Sequence, residues 1–168
     1  MYRIQGTADY HFGEYHEAIK AFGSYLKDNA EPAPRRDALY MLGMSYYRTG
    51  VYSQVPVTLG EVTANKDALT QNAYLHMGLA YLQLADKNKA RMAFEQAAAS
   101  DADLKIKEQA SYNNALCIHE TSYSAFGESV TVFENFLNEF PNSAYADKVS
   151  SYLIEVYMNT RSYCLLYT

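Results

Sequence analysis

The sequence predicts an all-α protein: a solenoid of antiparallel helix pairs about 4.5 repeats long. Three observations carry this. Leu39, Leu42, Gly43 and Tyr46 follow one another at steps that place them on a single helical face, and Gly50 ends that helix. The same signature returns 35 residues later in AYLHMGLAYLQLADK, where Tyr74, Met77, Gly78 and Tyr81 take the same places. A chain of 168 residues could hold one compact domain, but a period near 35 divides it into units that each bury their apolar face only against their neighbours. The array is the domain, with units at approximately 2–32, 33–66, 68–102, 104–141 and 142–168.

In the first unit, Tyr2 and Gly6 stand where Leu39 and Gly43 stand in the second. Gly13 and Tyr15 form the turn, and Ala18 and Phe22, four apart, stack on one face of the second helix, alanine allowing close approach and phenylalanine filling the space beside it. Pro32 and Pro34 break the helix before the next unit.

The second unit carries Pro56 where its second helix is expected. A start with Ser53 as N-cap puts that proline in the first turn, where its missing N–H costs nothing. Val55 and Leu59 replace the Ala/Phe pair, so this helix pair is expected to pack a little wider than its neighbours. The third unit has the most regular second helix, KARMAFEQAAA, with Ala90, Phe94 and Ala97 correctly spaced. Its turn, Ala85-Asp86-Lys87, has no glycine, and Asp86 is the expected cap of the helix that follows.

In the fourth unit Ala115 takes the glycine place, and Ser129, Phe133, Phe136 and Pro141 follow two residues late, which puts the extra residues in a longer turn around 122–127. Beyond it, Asn142 or Ser143 is expected to cap a helix through about Thr160, with a turn at Arg161–Tyr163 mirroring Gly50–Tyr52. Only Cys164–Thr168 would remain for a second helix, about one turn, too short to stand alone in water. The last unit is therefore expected to be cut from a longer array. Leu165, Leu166, Tyr163 and Tyr167 would then either drive self-association through the C-terminal end or leave the residues after Thr160 frayed.

Composition narrows the function. Lysine plus arginine number 14 against 19 aspartates and glutamates, a formal charge of −5 without a basic patch, so nucleic acid is not an expected partner. No stretch reaches the 18 or so apolar residues that span a bilayer, so no direct membrane insertion is expected. Cys117 and Cys164 lie far apart and match neither a disulfide framework nor a metal-site spacing. Cys117 and His119 are two apart on a helix, point in different directions, and cannot share a metal or act as nucleophile and base. His11, His16 and His76 read as surface or groove residues too, the glycines form no phosphate loop, and no catalytic residue, metal or cofactor is expected. Seventeen tyrosines and no tryptophan are the one strong bias, suited to helix interfaces and binding grooves alike.

The period of about 35, the helix–turn–helix pattern and the small residues at fixed points resemble the tetratricopeptide repeat, W-x2-L-G-x2-Y, then A-x3-F, then P. The resemblance covers essentially the whole chain. It implies a right-handed superhelix whose first helices line a concave groove, and a protein or peptide segment as partner. Groove-facing places by the motif are Arg3, Thr7, Tyr10 and His11; Tyr40, Met44, Tyr47 and Arg48; Asn72, Leu75, Leu79, Leu82 and Gln83; Tyr112, Leu116, His119 and Glu120. Each leucine serves equally well as core between helices, whereas Tyr40, Met44, Tyr47 and Tyr112 are the better candidates for exposure. The lysine, asparagine and arginine clamp by which one member grips a C-terminal carboxylate would fall at Arg3, Thr7, Tyr40, Asn72 and His76, and is absent.

A narrower resemblance rests on FENFLNEFPNSAYADK at 133–148 and, less fully, AFGSYLKDN at 21–29. These are similar to bacterial envelope members such as outer-membrane assembly lipoproteins and periplasmic partners of the Tol-Pal system. A periplasmic or outer-membrane-associated location follows as an expectation, with the cytoplasm as the other possibility. The function expected is a non-enzymatic scaffold that binds a polypeptide segment in the groove. The alternative is a structural spacer in a longer array, with no ligand of its own.

Overall fold

The computed structural model describes residues 1–28, 32–121 and 127–166, with no account of the side chains of Asp28, Ala33 and 160–166. Among these residues the chain is helical throughout: α1 (Tyr2–Phe12), α2 (Tyr15–Asp28), α3 (Pro32–Arg48), a 3₁₀ turn (Tyr52–Gln54), α4 (Val55–Gly60), α5 (Ala68–Gln83), α6 (Lys87–Ala98), α7 (Leu104–Thr121), α8 (Glu128–Glu139) and α9 (Ala146–Leu166). Each odd-numbered helix through α7 packs on the even-numbered helix after it, and α1, α3, α5 and α7 also touch in succession. The core is correspondingly serial. One apolar cluster surrounds Phe22, the next Leu59, the next Phe94 and the last Phe133.

A small residue on the first helix facing a large one on the second closes each pair. A Cβ added to Gly6 would lie 3.0 Å from the Phe22 ring, one on Gly43 2.4 Å from Leu59 Cδ2, and one on Gly78 2.5 Å from Phe94 Cε1. Phe22, Leu59 and Phe94 are fully buried. Burial of each such side chain stabilises by roughly 1.5–3 kcal/mol. The approach at Gly43 is as close as at Gly78, so the second pair is not wider. Leu59 is shorter than phenylalanine, but its branched end reaches the same hollow.

The first three turns share a backbone solution. Gly13 has φ +83° and Gly50 φ +77°, and Ala85 adopts φ +59° in the glycine's place. After each, the next N–H returns to a carbonyl five residues back: Glu14 to Asp9, Val51 to Tyr46, Asp86 to Tyr81. This left-handed closure satisfies helix-end carbonyls that would otherwise be orphaned. Asp86 caps α6 as expected, accepting from the Lys89 amide at 3.1 Å.

Three expectations are corrected. Ser53 does not cap the second helix of its unit: a 3₁₀ turn runs through it, and α4 begins at Val55 with Pro56 in its first turn. Ser143 does accept from a backbone amide at 3.0 Å, but from Tyr145, and the helix begins only at Ala146. α9 continues to Leu166 without the turn expected at Arg161. Arg161 stands where the earlier units have glycine or Ala85 at positive φ, a conformation that costs any L residue with a Cβ, and there the helix runs on. The longer turn around 122–127 lies, except for Gly127, outside the described residues, as do the side chains of Tyr163, Leu165, Leu166 and Tyr167. No helix among the described residues is long and apolar enough to cross a membrane.

Candidate functional site: an aromatic face on the first helices

Two polar residues on the first helices fix one repeat to the next. Arg36 Nε donates to the Val62 carbonyl at 3.0 Å, and its two terminal nitrogens grip the Asp67 carboxylate at 2.9 and 2.8 Å. Thirty-five residues on, Gln71 Nε2 donates to the Ala97 carbonyl at 3.1 Å while Gln71 Oε1 accepts from the Asp103 amide at 2.8 Å. Both tie the end of their own repeat's second helix to the start of the next first helix. Asp67 caps α5 through the Thr70 amide at 2.9 Å, and the Arg36 contact then holds its carboxyl well below the usual range. Composition and spacing hid this clamp because arginine and glutamine fill the same place with different chemistry.

The clamp ties the start of α3 to the start of α5, and the Tyr47 ring lies between the two helices farther along. The Tyr47 ring meets His76 of α5 edge-on at 5.1 Å and Tyr52 at 5.7 Å. Tyr10 of α1 is edge-on to Tyr15 at 5.7 Å. Tyr10, Tyr40 and Tyr47 are half-buried. Burial pushes the Tyr40 phenol up to about 12, with Tyr10 adding to the shift. Burial raises Tyr10 and Tyr47 as well, opposed by the charge of Arg48. His76 is held below its ordinary value, first by burial and then by Arg48, against the opposing bond of its Nδ1 to the Asn72 carbonyl at 3.0 Å. Arg48 itself is exposed in the last turn of α3.

The expected groove residues thus divide. Tyr47 meets His76, Tyr10 and Tyr40 are half-buried on α1 and α3, and Arg48 is exposed, while Asn72 is half-buried with its Oδ1 sealed from solvent and unbonded, and Gln83 is exposed. Met44 is only 4% exposed, because α3 is packed by α1, α2, α4 and α5 and leaves a narrow free strip. Tyr112 is also buried. Its ring stacks on Tyr145 at 4.2 Å and tilts against Phe136, since the segment before α9 folds back onto α7. His119 packs between Phe133 at 5.3 Å and Tyr152 at 5.8 Å, toward the core of the last repeats. Leu75 is core, as is Cys117, whose thiol burial pushes up to about 11.

The comparisons bear on the fold. Residues 72–103 match the tetratricopeptide repeat family. The fold as a whole is a tetratricopeptide-like solenoid. Two solved structures of nearly identical TPR-like repeats from Podosopora anserina, assigned to a kinesin light chain, superpose with TM-scores of 0.55 and 0.56. They share 12% and 11% of residues, and cover 95% and 96% of this chain and 94% and 95% of theirs, respectively. No curated protein sequence matches significantly.

Proposed function

We propose that the protein is a non-catalytic scaffold that holds a polypeptide segment against the first-helix face around Tyr10, Tyr40 and Tyr47. Tetratricopeptide repeats generally mediate protein–protein interaction. The single observation that supports this site is the contact of the Tyr47 ring of α3 with His76 of α5, on a row of first helices that also carries half-buried Tyr10 and Tyr40. Tyrosine offers large contact area with few rotors to freeze, which suits an interface. A photo-crosslinking residue at position 47, compared with one at the exposed outer position 92, tests it in cells that make the protein. A discrete polypeptide adduct from 47 and not from 92 is expected, and equal adducts from both, or none from 47, overturn the site.

A spacer reading draws on Met44 and Tyr112, which serve packing and leave the groove smaller than the motif implied. An envelope location rests on the resemblance of residues 133–148 and, less fully, 21–29, and fractionation of the native protein tests it.

A further inference from the structure

The buried small residues of the first helices fix their register. Ala38, Ala73 and Ala110 share one place, Gly43, Gly78 and Ala115 a second, and Ser45, Ala80 and Cys117 a third. In that register Glu108 stands where Arg36 and Gln71 stand. Those two clamp their joints by donating to carbonyls around the end of the second helix, Val62 and Ala97. A carboxylate has no hydrogen to give a carbonyl. Half-buried Glu108 instead borders a hollow of about 280 Å³, lined also by Glu139, Phe140, Pro141, Asn142 and Ser143. The helix beyond it is set apart: α1, α3, α5 and α7 touch in succession, but among the described residues no Cα of α9 lies within 8 Å of one in α7. Side chains span that gap. Tyr112 of α7 stacks on Tyr145 at 4.2 Å, His119 meets Tyr152 at 5.8 Å, and Lys148 Nζ lies 6.0 Å from the centre of the Tyr112 ring. Lys107 of α7 pairs with Glu139 at the end of α8 at 2.5 Å, and shares its charge with Asp101.

We propose that the corner between α8 and α9 is a hinge built into the array, at which α9 rocks against α7 while the joints clamped by Arg36 and Gln71 hold their angles. Buried hydrogen bonds fix both distance and direction. Stacked rings attract over a range of offsets and so allow sliding, and an ion pair whose carboxylate is 47% exposed is weak and screened by salt. α9 is 21 residues long, about 30 Å, so a small rotation at its start becomes a large displacement at its far end. Such a hinge, carried by a few residues at element ends, changes the shape of the array without unfolding any helix. It does not depend on the groove reading, because Tyr10, Tyr40 and Tyr47 take no part in it.

Distances between pairs of spin labels on the full chain test it, in a background of Cys117→Ala, the residue that α5 carries at the same place, and Cys164→Ser. One pair, Met92→Cys with Glu155→Cys, spans the corner, and a second, Val57→Cys with Asn135→Cys, spans the two clamped joints; all four positions are exposed. The distance distribution of the first pair is expected to be the wider, and to widen further with Tyr145→Ala or with raised salt. Glu108→Gln gives back the donor that Gln71 supplies one unit earlier, and should narrow it while leaving the second pair unchanged. The comparison of the two pairs needs no change at the corner itself, so it stands even if a corner variant folds poorly. A first-pair distribution no wider than the second overturns the hinge, as does a width that a folded Glu108→Gln variant leaves unaltered.

Discussion

Gly78 and Phe94, sixteen residues apart, are packed so closely that a Cβ on the glycine would lie 2.5 Å from the ring. Gly6 with Phe22 and Gly43 with Leu59 repeat the arrangement at the same separation, so the spacing of one small and one large residue defines the helix pair. Gly78→Ala is expected to destabilise by about 1–3 kcal/mol, as other overpacked cores do. Gly23 lies inside α2 with nothing within 4 Å of an added Cβ. There, alanine should stabilise by about 0.5–1 kcal/mol. Urea unfolding of the two variants beside the parent checks both signs.

Ala85 does at φ +59° what Gly13 and Gly50 do without a side chain. Relief of that strain should make Ala85→Gly more stable by up to about 1 kcal/mol, the gain being cut by the greater freedom of glycine in the unfolded chain. A lower melting temperature for this variant would show that the turn is not strained.

Much of the architecture was legible because the signals that specify it are local and repeat. The Gly/Phe spacing, the Asp86 cap and the period are visible in residue types alone. The groove was legible only in part. Whether Tyr112 faces outward depends on where Tyr145 comes to rest, and nothing in the helical period of α7 says that the segment after Pro141 folds back upon it. Met44 fell inside for a similar reason, the number of helices that crowd α3. The clamp residues Arg36 and Gln71 were missed because the partners of Gln71 are backbone carbonyls and an amide, which leave no mark in a sequence, and the carboxylate that Arg36 holds, Asp67, lies 31 residues away. The run-on of α9 carries a signal in hindsight: Ile154 stands at the place of Gly43 and is 58% exposed, with no second helix of the usual kind closing over it among the described residues.

Gln71 is 1% exposed and bonds to Ala97, Ser100 and Asp103. Gln71→Leu, similar in size, leaves those carbonyls and an amide without their partner and should cost about 1–3 kcal/mol. Chemical unfolding measures the loss. Hydrogen exchange should localise it, with faster exchange in the Asp103–Lys107 turn than in α2.

Asp67 supplies a pH dependence with a definite sign. Its folded value is depressed, chiefly by the hydrogen bonds from Arg36, from an ordinary 3.8. A depressed carboxyl contributes stability that is present above the unfolded value and is lost as pH falls through the folded one. The parent should therefore lose melting temperature progressively below about pH 4. Asp67→Asn should melt lower at pH 7 and show a shallower decline in the acid range. Parallel melting curves for the two proteins from pH 7 to pH 2 would contradict the assignment, as would an unchanged melting temperature at pH 7.

The central claim is that a polypeptide segment is held by the tyrosines of α1 and α3. Calorimetric titration of the crosslinked partner segment into the parent, the Tyr40→Ala, Tyr47→Ala double variant and Met92→Ala tests it most directly. Loss of a buried aromatic contact should weaken binding to the double variant at least about tenfold, while Met92→Ala, altered on the exposed face of α6, binds as the parent does. Equal affinity for all three proteins would contradict the account.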